Sequence, residues 1–156
     1  MPQCRSHVKG GFSFASIVVN ISALLSGDMR LVEEDVRQVV EVAGPYGVKV
    51  KAIIEVYFLT DEQKRTVAIA AERAGAAFIK TSTGTRPDRK ESVAADVRLL
   101  RAILKPGTAI KASGGVYDLD AVLAYYDAGA RRFGASETAA ILEDLRSRID
   151  EGVLTA

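Results

Sequence analysis

The chain has 156 residues, 48% of them hydrophobic and 26% charged; this is the length and composition of one globular domain, residues 1–156, with a sizeable core, and it argues against a disordered tail or a two-domain protein. Its 21 basic and 20 acidic residues leave a formal charge of +1, so no net field draws it onto nucleic acid or a membrane surface, and any basic site is local. One cysteine, Cys4, and one histidine, His7, exclude an intrachain disulfide and leave too few soft ligands for a structural zinc site; a reducing cytoplasm fits best.

Met1 to Ala15 reads as a poorly structured stretch, and Cys4 and His7 within it receive no role. Phe12 to Leu25, preceded by Arg5 and Lys9, imitates a signal peptide. Ser13, Ser16, Asn20 and Ser22 interrupt it, however, no small-x-small cleavage site follows, and a membrane span needs about 18 apolar residues. It reads instead as a buried strand, Ile17 to Ile21. Val32, Val36, Val39, Val40 and Ala43 then recur at helical spacing, and Gly44, Pro45 and Gly47 mark the exit into a second strand, Val48 to Glu55. Thr60, with Asp61 and Glu62 behind it, is an N-cap signal for a helix carrying Val67, Ala70, Ala71 and Ala74. Gly75 ends that helix before a third strand, Ala77 to Thr81. The balanced cluster Arg86 to Glu91 reads as a solvated loop rather than a nucleic-acid patch. Val93, Val97, Leu100, Ile103 and Leu104 give the next helix and Ala109 to Ala112 the fourth strand. Asp118 caps a helix with Ala121, Val122, Tyr125 and Ala128, closed by Gly129; a fifth strand, Arg132 to Ala135, and a last helix with Ala140, Ile141, Leu145 and Ile149 complete the series.

Alternation of short β-branched runs with helical segments predicts an α/β fold of βα units feeding a parallel sheet. The near-continuous apolarity of the strands suits coverage on both faces. The pattern leaves a barrel and a doubly wound sheet both open.

In such folds the active site lies at the carboxyl ends of the strands. Lys80 and Lys111 each close an apolar strand there. Placement alone makes them ordinary solvated lysines, but each opens a loop rich in hydroxyls and glycine: Lys80-Thr81-Ser82-Thr83-Gly84 and Lys111-Ala112-Ser113-Gly114-Gly115. A lysine at the mouth of an apolar strand is desolvated, and a second ammonium nearby disfavours its charge again, so its pKa falls. The neutral amine can attack a carbonyl and form a Schiff base whose iminium withdraws electrons. The loops, with Gly134-Ala135-Ser136 before the last helix, have the parts that suit a phosphate.

Phe78 to Gly84 (FIKTSTG), Ile110 to Gly115 (IKASGG) and Arg132 to Ser136 (RFGAS), with Val18 to Asp28 (VVNISALLSGD) and Lys51 to Glu55 (KAIIE), together resemble the deoxyribose-phosphate aldolase family. The resemblance runs from about residue 16 to about residue 143. It implies a TIM-barrel-type (β/α) repeat and a Schiff-base lyase that needs no metal or other cofactor and reversibly splits 2-deoxyribose 5-phosphate into acetaldehyde and glyceraldehyde 3-phosphate. It implies Lys80 as the Schiff-base lysine and Lys111 as the second lysine that depresses its pKa. Thr81, Ser82, Gly84, Gly114, Gly115, Gly134 and Ser136 become substrate- or phosphate-binding positions, with Arg86 nearby.

Departures are expected to matter. Ser16 stands where the family carries a relay aspartate, and losing a positioned acid–base group costs about 10²- to 10⁴-fold in rate. Glu137 would repel phosphate. A closed eight-unit barrel holds about 250 residues, at least about 200, so about five units of the eight are present and the barrel is incomplete. Exposed edges and an open inner face point to a homo-oligomer or a rearranged packing. The alternative reading is an inactive relative that binds a sugar phosphate or a partner subunit. Tyr57, Tyr117, Tyr125 and Tyr126 read as packing residues with wet hydroxyls.

Overall fold

A computed structural model of the chain describes residues 13–84 and 93–154. Its strands are β1 (Phe14–Val18), β2 (Lys49–Ile53), β3 (Phe78–Lys80), β4 (Ala109–Ser113) and β5 (Arg132–Gly134). Its helices are α1 (Ile21–Leu25), α2 (Met29–Ala43), α3 (Asp61–Arg73), α4 (Ala94–Ile103), α5 (Leu119–Asp127) and α6 (Thr138–Asp150). Cys4, His7, Arg86 and the cluster Arg86 to Glu91 lie outside the described residues.

The five strands form one parallel sheet in the order β1-β2-β3-β4-β5, and that order decides the architecture. Crossovers between parallel strands are right-handed in nearly all sheets, so a sheet that never reverses its winding keeps every crossover helix on one face. A doubly wound sheet requires a reversal, and this sheet has none. Consecutive helices from α2 to α6 accordingly lie side by side in a single layer. Val50, Ala52, Ile79, Ile110 and Ala112 point beneath that layer and are buried with Val36, Val39, Val67, Val97 and Leu100.

The expectation that both faces of the strands are covered is therefore corrected. On the other face Ser16, Val18, Lys49 and Arg132 are exposed. Their strands are apolar because the helix-facing side chains are apolar, not because the sheet is sandwiched. This inner face is strongly curved. In a flat sheet β1 and β5 would stand about 19 Å apart, yet the Arg132 guanidinium lies 4.2 Å from the centre of the Phe14 ring. The sheet is rolled as in a barrel wall, with five strands present.

The strand expected over Ile17 to Ile21 lies earlier, at Phe14–Val18, and Ile21 opens α1. Asn20 causes the shift: its side-chain oxygen accepts from the Ala23 N–H at 3.0 Å and starts a helix where hydrophobicity alone suggested a strand. Phe14 and Ala15 thus belong to the sheet, not to an unstructured stretch. The cap signals hold elsewhere. Thr60 and Gln63 exchange bonds in a capping box, and Asp118 accepts from Ala121 N. Gly75 ends α3 at φ 94°, where a Cβ would stand 3.0 Å from Val40 Cγ1. No described helix is long and apolar enough to cross a membrane.

Candidate active site

Strand register brings the two expected lysines together. Lys80 on β3 is the direct neighbour of Lys111 on β4, at the carboxyl ends of both strands, and both side chains are half-buried on the inner face. Burial pushes the Lys80 amine below the ordinary lysine range and the Lys111 charge pushes it further, while Glu55 pulls the other way.

The rungs beyond this pair are closed by side chains. The Thr81 hydroxyl donates to Ser113 O at 2.8 Å and accepts from Ser113 N at 2.9 Å, so β3 and β4 stay joined one residue past the lysines. Glu55 holds the next turn. Its carboxylate accepts from Ser82 Oγ (2.6 Å), Thr83 Oγ1 (2.6 Å) and Thr83 N (2.9 Å), and Gly84 N donates to Ser82 Oγ. Glu55 is only 3% exposed and adopts φ 51°, the single non-glycine residue with positive φ among those described. A left-handed residue just past β2 turns the carboxylate inward under the loop. Thr81 and Ser82, expected at the substrate, are buried and spend their hydroxyls on these internal bonds.

The loop after β4 is built differently. Gly114 and Gly115 have consecutive positive φ values of 90° and 69°, backbone that glycine adopts without strain. Among the described residues, neither N–H is engaged by a backbone carbonyl. A Cβ on Gly114 would lie 2.5 Å from the Tyr57 hydroxyl, so only glycine fits. The Tyr125 hydroxyl donates to Gly115 O at 2.9 Å and accepts from Val93 N at 3.3 Å. Tyr125 is 1% exposed, so the expectation of a wet hydroxyl is corrected here: it ties the glycine loop to the start of α4. The Tyr57 hydroxyl is buried and has no hydrogen-bond partner among the described residues, and burial raises its pKa.

Beside this loop, Ser113 pairs with Gly134, so the Gly134-Ala135-Ser136 turn adjoins Gly114 and Gly115. A Cβ on Gly134 would meet Ser113 Oγ at 2.6 Å. Ser136 is exposed at the start of α6, whose N-cap, Glu137, makes no side-chain capping bond, leaving the helix's first N–H groups open to an anion. Ser16 lies on the inner face of β1 in register with Lys51, one inward position below the level of Val18, Ile53 and Lys80.

Two residues missed as site candidates complete the picture. Glu55 was visible only as the end of an apolar strand. Lys51, on the inner face of β2, is 6% exposed, and its ammonium sits 3.6 Å from the Phe14 ring centre. Burial, with Lys111, Arg132 and Lys80 nearby, lowers its pKa to about 8. A lysine between Val50 and Ala52, in the middle of a strand, was the available signal.

No protein-family model matches the chain. It is 41% identical over 140 residues to the deoxyribose-phosphate aldolase of Aciduliprofundum boonei, covering 88% of this chain and 61% of that protein. It is 44% identical over 140 residues to that of Exiguobacterium sibiricum, covering 90% and 62%. The structure of the tetrameric deoxyribose phosphate aldolase from Aeropyrum pernix superposes with a TM-score of 0.82 at 28% identity, over 94% of this chain and 60% of that one. The chain thus spans about three fifths of the length of these relatives. Sequence identity over nearly the whole chain and the rolled sheet with its paired lysines agree: over about three fifths of their length, the chain is similar in sequence and in fold to deoxyribose-phosphate aldolases.

Proposed function

We propose that the chain carries the Schiff-base machinery of a deoxyribose-phosphate aldolase, reversibly splitting 2-deoxyribose 5-phosphate into acetaldehyde and glyceraldehyde 3-phosphate. The observation that carries this is the register pairing of Lys80 with Lys111, with the Lys80 amine held below its ordinary pKa by burial and by that neighbour. In this reading the neutral Lys80 amine adds to the aldehyde of the open-chain sugar and expels water, leaving an iminium. The third-carbon hydroxyl gives up its proton, the bond between the second and third carbons breaks, and its electron pair flows into the iminium to form an enamine. Glyceraldehyde 3-phosphate departs. Protonation of the enamine carbon and hydrolysis then release acetaldehyde and restore the amine. The iminium is the electron sink, so the steps call for no metal or other cofactor.

Lys111 supplies the positive field that favours neutral Lys80. The N–H groups of Gly114 and Gly115, the Gly134 to Ser136 turn, Gly84 and the start of α6 are the phosphate cradle, with Glu137 weakening it. Thr81 and Ser82 act through the loop they hold. We read the chain as one domain working in the cytoplasm on a sugar phosphate and an aldehyde, and its β1 and β5 edges, unpaired among the described residues, favour a homo-oligomer.

Acetaldehyde plus borohydride is expected to leave one ethyl group on Lys80 of the wild-type chain and none on Lys80→Ala, read by peptide mass. An unmodified wild-type chain argues against the aldolase. Ser16, where a carboxylate is absent, favours one second reading: thermal stabilisation by inorganic phosphate without any adduct would select a relative that binds but does not turn over.

A further inference from the structure

The cluster around Phe14 lies on the same inner face as the paired lysines, toward the amino ends of the strands. Phe14 and Phe78 meet edge to face, ring centres 5.6 Å apart. Two cations share these rings: the Lys51 ammonium lies 3.6 and 5.5 Å from the two centres, and the Arg132 guanidinium 4.2 and 5.5 Å. Among the described residues neither cation has a carboxylate within ion-pair distance. Ring faces stabilise a cation without neutralising it, so its field persists. Lys51 pairs with Phe78 in register and Ile53 with Lys80, which sets Lys51 one diagonal step from Lys80, about 8 Å between Cα atoms by strand geometry.

Among the described residues, the charges that act on Lys80 are Lys111 from β4, which disfavours its proton, and the carboxylate of Glu55, which favours it; Arg132 from β5, Lys51 and the more distant Lys49 from β2 lie on the same inner face. β1 contributes Phe14, Ser16 and Val18, none of which titrates. We propose that Lys51 is a positioning residue for the Lys80 amine: parked with Arg132 on the Phe14 and Phe78 rings, it keeps the floor of the site positive and favours neutral Lys80. Lys51 is itself lowered to about 8 by burial, Lys111, Arg132 and Lys80. The effect of Lys51 is greatest below pH 8, where it carries its proton.

This inference rests on the aldolase reading for its purpose but not for its test. The Lys80 titration is followed by NMR of isotope-labelled lysine side chains, assigned by the signal lost in Lys80→Arg. Lys51→Met, which keeps volume and removes charge, is expected to move the Lys80 midpoint up by roughly one pH unit, the size of one unit charge at about 8 Å in an effective dielectric of about 20 after partial screening. Lys51→Arg, which keeps the charge, should leave it near wild type. A Lys51→Met midpoint equal to wild type overturns the proposal, and so does an equal shift in Lys51→Arg, which would make packing the cause. Should Lys51→Met not fold, Arg132→Met is read the same way: an upward shift supports the charged floor and its absence overturns it. The rate of borohydride trapping is measured in parallel. A wild type that forms no adduct removes the aldolase reading, while the lysine titration still decides the electrostatic one.

Discussion

Glu55→Ala and Glu55→Gln test whether one buried carboxylate holds the loop that follows Lys80. In the wild type that carboxylate receives two hydroxyl bonds of 2.6 Å and one N–H bond of 2.9 Å. Bonds to a charged group contribute about 1.5–3 kcal/mol each. The sum shrinks because the half-buried Thr83 donors regain water and because burying the carboxylate itself costs several kcal/mol. Glu55→Ala is therefore expected to destabilise by about 3 kcal/mol. Glu55→Gln keeps one acceptor for Ser82 but turns an amide NH₂ toward the Thr83 N–H, two donors face to face, and should cost about 1–2 kcal/mol. Glu55→Gly loses the same bonds as alanine but recovers about 1 kcal/mol at the left-handed φ. The assay is urea unfolding, reading the midpoint at constant slope. A second readout separates charge from packing. Glu55 pulls the Lys80 pKa upward, so folded Glu55→Gln should hold a larger neutral fraction of Lys80 and be trapped faster by borohydride at neutral pH, despite being less stable. Stabilities of both variants within about 0.5 kcal/mol of wild type, with unchanged trapping, would refute the reasoning.

The Lys80 pKa is lowered, so adduct formation rises with pH through that value. Lys111→Met removes a neighbouring charge and should displace the trapping curve toward higher pH, slowing it several-fold at pH 7; an unmoved curve contradicts the pairing. Tyr125→Phe deletes the bridge between Gly115 O and Val93 N and should cost about 1–2 kcal/mol and weaken phosphate binding, read by thermal shift with and without phosphate. Gly114→Ala combines a φ of 90° with a Cβ 2.5 Å from the Tyr57 hydroxyl and should destabilise by about 2–4 kcal/mol. Tyr57→Phe in the same chain should restore part of that loss, which unfolding midpoints of the single and double variants will show.

Much of the fold was legible because its signals are local. Thr60, Asp118, Gly75 and Gly129 mark helix ends through their own backbone chemistry, and the apolar runs mark β2 to β5. β1 was misplaced because Ile17 to Ile21 is as apolar as a strand, while the decisive bond, Asn20 to Ala23, is a competition that hydropathy does not register. The one-sided sheet was not legible either, since a strand capped by helices on one face and curled over aromatic and lysine side chains on the other still reads as apolar. Within the site, Lys80 and Lys111 stood out by position and by the loops they open. Glu55, Lys51 and Tyr125 did not, because each acts through a partner distant in sequence: Ser82 and Thr83, the Phe14 ring, and Gly115 with Val93. The hydroxyls of Thr81 and Ser82 read as ligand groups for the same reason, their internal partners Ser113 and Glu55 being invisible along the chain.

The reciprocal bonds between Thr81 and Ser113 lie directly after the lysine pair, and ordinary ladder bonds lie before it. Two ammonium groups that repel each other usually gain relief by moving apart. Here the backbones that carry them are held on both sides and both side chains are half-buried, so separation is restricted as a response and shedding a proton becomes easier. A mechanical constraint of a threonine and a serine, neither of which needs to touch a substrate, is thereby converted into chemical reactivity at a nitrogen one residue away.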